Sequence, residues 1–76
     1  MFYDSRKTGT LIRELRLRRG MSQEVLSGLA GIARSHLSMI ETGAKTPTLE
    51  TLCRVAAALD IRPSELLRRM EEEAGT

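Results

Sequence analysis

The chain has 76 residues, 41% of them hydrophobic and 29% charged, with a formal net charge of +2. So short a chain buries only about 60% of the surface it exposes when unfolded, which implies one simple domain spanning residues 1–76 rather than two, and its composition excludes a disordered tail. One cysteine (Cys53) and one histidine (His36) exclude an internal disulfide framework and a conventional structural zinc site, and no apolar run nears the ~20 residues of a membrane span.

No signal-peptide core follows the start, so a reducing, cytoplasmic setting is expected, with no metal and no cofactor. The two aromatic residues, Phe2 and Tyr3, stand outside every periodic segment. That leaves an aliphatic core and speaks against the stacking platforms of single-strand binders. Residues 1–46 carry eight Lys/Arg against four Asp/Glu, whereas residues 47–76 carry four against six. The basic half suits a polyanion and the acidic end suits solvent or another protein.

Apolar residues recur at helical rather than strand spacing. A first helix is predicted from about Lys7 to Arg19, with Leu11, Ile12 and Leu15 inward and Gly20 ending it after Arg18 and Arg19. Ser22 reads as the N-cap of a short second helix whose inner stripe is Leu26, Leu29 and Ala30, stopped by Gly31. A third helix is predicted over roughly Arg34 to Glu41, with Leu37 and Ile40 inward and Gly43 as its stop. After the loop Ala44-Lys45-Thr46-Pro47, Thr48 caps a fourth helix carrying Leu49, Leu52, Val55, Ala56 and Leu59 on its apolar face. Pro63 suits the first position of a fifth helix with Leu66, Leu67 and Met70, and the end from Glu71 to Thr76 is expected to fray. Five short helices make an all-α fold, and that alone leaves function open.

The stretch from Ser22 to Gly43, SQEVLSGLAGIARSHLSMIETG, resembles the helix-turn-helix of the Cro/cI-type (XRE) DNA-binding regulators. The likeness extends to IRELRLRRGMSQ before it and PTLETLCRVAAALDIRPSELL after it, from Thr8 to Leu67. It implies a lambda-repressor-like domain, with the helix-turn-helix over about 22–43 and helices four and five over about 48–73 as core and dimer surface. Ser27 then holds the small-residue position where two helices cross, Gly31 the left-handed turn, and Ile32 joins Leu37 and Ile40 in pinning the recognition helix. On a helical wheel anchored at Leu37, Ser35, Ser38, Met39 and Thr42 fall opposite while Arg34 and His36 flank, so the exposed row at the N-terminal end is Arg34, Ser35, Ser38 and Met39, the candidate base contacts. Met39 departs from the Arg, Lys or Gln common at its position. The resemblance also places Lys45 and Thr46 against phosphates and pairs Arg16 with Glu41, aiming the guanidinium at the DNA backbone. Ser22 and Gln23 at the start of the second helix are further phosphate candidates, His36 could reach a phosphate or a base, and Arg6, Lys7 and Arg13 are weaker candidates. Ala33 and Arg62 stand where such proteins usually have capping residues.

One helix reads too few base pairs for specificity, so a homodimer is expected on a near-palindromic operator, joined through Leu59, Ile61, Leu66, Leu67 and Met70. Arg68 and Arg69, beside Glu71, Glu72 and Glu73, are candidates for cross-subunit pairing. Size and the tail LLRRMEEE resemble restriction–modification controller proteins. The partners implied are double-stranded DNA and a second copy, with no membrane and no small-molecule effector. Two other readings stay open at this point: an antitoxin-like DNA-binding partner of a toxin, and a protein-interaction module that retains the fold. No nucleophile–base pair, carboxylate dyad or phosphate loop suggests an enzyme.

Overall fold

A computed structural model describes residues 4–75, with side chains through Glu72, so Phe2, Tyr3 and Thr76 lie outside the described residues. Within them are five helices: α1 (Ser5–Arg18), α2 (Gln23–Ala30), α3 (Arg34–Glu41), α4 (Leu49–Ala58) and α5 (Pro63–Gly75). The helix starts follow capping chemistry. Asp4 accepts from the amides of Arg6 and Lys7, Ser22 from Val25, and Thr48 from Thr51.

Three of the ends share one geometry, in which two amides fold back onto the carbonyls of the last turn. Met21 and Gly20 bond to Arg16 and Leu17, Ile32 and Gly31 to Ser27 and Gly28, and Ile61 and Asp60 to Ala56 and Ala57. Gly31 supplies the left-handed angle between α2 and α3, with φ of 72°. Contrary to the expected fraying, helix continues through Gly75. Arg68 closes ion pairs along α5 with Glu65 and Glu72 that support it.

Every helix contributes to one aliphatic core, in which Ile12, Leu26, Leu37, Ile40, Val55, Leu59 and Leu66 are the largest fully buried side chains. Two expected inward residues are corrected. Leu29 and Leu49 are 63% and 65% exposed. Helix α2 packs against α3 and α4 through Leu26, Ala30 and the small Ser27 instead, so the flank carrying Leu29 faces outward. Leu49, at the first position of α4, precedes the turn that enters the core.

Helix α1 crosses the C-terminal end of α3 at Gly9, a contact the helical periodicity alone does not reveal. A β-carbon there would lie 2.6 Å from the Glu41 carbonyl oxygen and collide with that of Ile40. The first turn of α1 also grips the loop after α3. Ser5 Oγ donates to the Gly43 carbonyl at 3.1 Å, and a β-carbon on Gly43 would lie 2.5 Å from Arg6 Cγ. The third helix is therefore fixed against α1 backbone to backbone.

Candidate nucleic-acid interface

Helix α3 has two unlike sides. On the inner side Leu37 and Ile40 are fully buried and Glu41 is 6% exposed. Burying a carboxylate is costly unless it is paired and hydrogen-bonded. Arg16 meets that need in bidentate form, Nε to Oε2 at 2.7 Å and a terminal nitrogen to Oε1 at 3.0 Å. The Gln23 side-chain amide adds a third donor to Oε1 at 3.1 Å. The other terminal nitrogen of Arg16 donates to the Met21 carbonyl at 2.8 Å. One buried carboxylate on α3 thus ties together α1, the α1–α2 turn and the start of α2. Its hydrogen bonds hold the Arg16 pKa above the ordinary value, against the lowering by burial.

The expected Arg16–Glu41 pair is present, but its placement corrects the phosphate role given to Arg16. The guanidinium is turned inward, its three nitrogens are engaged, and its side chain is only 9% exposed. Gln23 is half-buried with its amide committed to Glu41. Ser22 stays exposed, its oxygen accepting the Val25 amide.

On the outer side Arg34, Ser35 and Met39 are exposed and Ser38 half-buried, the row that the wheel predicts, with half-buried His36 flanking. The only acid of α3 is the buried Glu41, so no carboxylate on this helix stands on that side. Ala33 starts α3 without a side-chain cap. Past the helix, Lys45 and Thr46 are exposed in the loop, and the Lys45 amide returns to the Met39 carbonyl at 3.1 Å. Arg6, pressed on Gly43, borders the same end, and its exposure strengthens a weak candidate from the sequence.

The five residues expected at a subunit interface separate. Leu59 and Leu66 are fully buried inside the chain and Met70 is 6% exposed, which leaves these three little surface to offer a partner. Leu67, 41% exposed, and half-buried Ile61 retain one. Arg68, expected to pair across subunits, pairs along its own helix.

Two short helices crossing at a left-handed glycine, the second buttressed behind and open in front, define a helix-turn-helix domain. The helix-turn-helix family model matches residues 12–66, and the chain belongs to this family, the Cro/cI-type (XRE) regulators. It is 34% identical to the HTH-type transcriptional regulator y4dJ of Sinorhizobium fredii, over 91% of each chain. Among solved structures it resembles the restriction–modification controller protein C.AhdI of Aeromonas hydrophila, with 42% identity and a TM-score of 0.81 over 86% of this chain and 98% of that one. It also resembles the biofilm master regulator SinR in complex with DNA, with 36% identity and a TM-score of 0.73 over 79% and 97% of the respective chains.

Proposed function

We propose that this protein is a sequence-specific double-stranded DNA-binding transcriptional regulator that acts in the cytoplasm as a homodimer, most simply a repressor of its own operator. The observation that carries it is the two-sidedness of α3. The buried side chains that anchor the helix are Leu37, Ile40 and Glu41, whereas Arg34, Ser35 and Met39 are exposed, Ser38 is half-buried, and no other carboxylate belongs to this helix. A helix so presented enters the major groove, where the Arg34 guanidinium suits guanine O6 and N7. The cations of the neighbouring loop, Lys45 and beside it Arg6, suit the phosphates, with Ser22, His36 and Thr46 as further polar contacts. SinR, a relative of the same family, is described in complex with DNA, which supports the assignment.

Two copies related by a twofold axis set their recognition helices one DNA turn apart, ~34 Å, on a near-palindrome. Leu67 and Ile61, the apolar residues of this end that remain accessible, form the centre of the proposed subunit contact. No catalytic role is assigned, since the one histidine and the one cysteine stand on different helices, α3 and α4. The test is selection of bound fragments from a random duplex pool, followed by binding isotherms at several salt concentrations. Recovery of a near-palindromic site, with the logarithm of affinity falling linearly in log salt, is the expected result. Recovery of no preferred duplex refutes the proposal.

A further inference from the structure

The open side of α3 is chemically lopsided. Paired hydrogen bonding to guanine takes Arg or Lys, to adenine Asn or Gln, and the cytosine amine calls for a carboxylate. Arg34 at the first position is the one residue of the exposed row able to do any of these. Ser35 and Ser38 carry short hydroxyls that bond to several bases alike. The Thr42 hydroxyl already donates to the Met39 carbonyl at 3.2 Å and is no more selective than the two serines.

What the C-terminal half of this side does present is a thioether. Met39 is 45% exposed, the only apolar side chain in the row. Its backbone is clamped, since the same carbonyl also accepts the Lys45 amide at 3.1 Å. The side chain therefore leaves the helix from a fixed point. It stands five positions beyond Arg34, about 7.5 Å along the axis at 1.5 Å per residue and about 140° round the helix, so the two side chains reach different places. For an apolar side chain in a major groove, the apolar group to meet on the base edges is the methyl on C5 of a pyrimidine.

Building on the DNA-binding proposal above, we infer that Met39 is a specificity-determining residue that reads a pyrimidine C5-methyl group. Thymine and 5-methylcytosine carry that group at the same place. Its sequestration from water is of the order of one buried methylene, about fourfold in Kd.

The test uses the duplex recovered by selection and the full chain. Each thymine of one half-site is replaced singly by deoxyuridine, each cytosine singly by 5-methylcytosine, and Kd is measured at fixed salt for the wild type, Met39→Ala and Met39→Gln. The expected result is one position where loss of the thymine methyl weakens wild-type binding about fourfold and leaves both variants unmoved. A cytosine whose methylation tightens wild-type binding about fourfold, and neither variant's, equally supports the inference and identifies 5-methylcytosine as the source. Methyl dependence that persists in both variants overturns it, as does its absence at every position of a duplex the wild type binds well. In that last case the DNA-binding proposal still stands, whereas failure to select any duplex removes both. Because Met39 lies on the surface, both variants should keep the wild-type melting temperature within a few degrees, and the double comparison of protein and base separates a methyl contact from any general loss of binding.

Discussion

Replacing Glu41 by alanine should cost this protein a large part of its stability, and the geometry sets the size of the loss. The carboxylate is 2% exposed, accepts from Arg16 at 2.7 and 3.0 Å and from Gln23 at 3.1 Å, and faces a guanidinium that is 9% exposed. Deleting it leaves the Arg16 charge buried with the Met21 carbonyl as its remaining described partner. Breaking a buried pair in this way costs about 3–5 kcal/mol. A domain of this size holds roughly 4–11 kcal/mol in total, so the variant sits at the edge of folding. In a thermal melt followed by far-ultraviolet circular dichroism, at one protomer concentration, the midpoint should fall by at least about 12 °C. Replacing both partners with apolar residues of similar length, Arg16→Met with Glu41→Leu, should recover much of that loss, because it removes the orphaned charge. The raised Arg16 pKa adds a sign. A base whose pKa is higher folded than unfolded keeps its whole stabilisation below the unfolded value, and loses it only as pH rises through the folded one. The contribution of Arg16 should therefore be flat across neutral pH. A loss under about 1 kcal/mol in Glu41→Ala, or a double variant no better than the single one, refutes the claim that this pair is a buried, mutually dependent unit.

Four other outcomes are expected. Gly9→Ala should lower stability by about 1–3 kcal/mol in urea denaturation although alanine is the better helix former, because its methyl meets the carbonyls of Ile40 and Glu41; an unchanged or higher midpoint would dismiss the close approach. Ala33→Ser should raise the melting midpoint by about 5 °C, since Ser22 and Thr48 already bond the amide three residues on and Ala33 cannot, and should tighten DNA binding without altering the selected site. Leu67→Glu should shift the protein toward monomer in sedimentation and keep its helical spectrum, while Lys45→Gln should reduce the salt slope of operator binding by about one unit at unchanged sequence preference.

The helices were legible in the sequence because their punctuation is local. A hydroxyl three residues ahead of its amide, or a glycine at a left-handed turn, can be recognised without knowing what lies across the core. The span Arg34–Glu41 and the caps Ser22 and Thr48 follow from such signals. The pairing of Arg16 with Glu41, 25 residues apart, came instead through family resemblance, since no local pattern links them. What the sequence hid depends on how helices cross. Leu29 and Ser27 flank the Leu26–Ala30 stripe on opposite sides, and only the packing of α2 on its neighbours decides that the serine goes in and the leucine out. The same holds for α5, where Leu66 and Leu67 look alike in sequence and part company at the core. Gly9 had one signal available, an isolated glycine inside a helix, which often marks a close neighbour.

The junction of Gly9 with the last carbonyls of α3 has an evolutionary corollary. A helix held by its main chain and its rear side chains owes little to its exposed residues. Under the proposed DNA-binding mode, residues 34, 35 and 39 could accordingly be exchanged without renegotiating the fold, so that descendants of one scaffold acquire new target sequences in few mutational steps. Substitutions at Gly9 or Glu41, by contrast, weaken the fold itself, whatever site the domain reads.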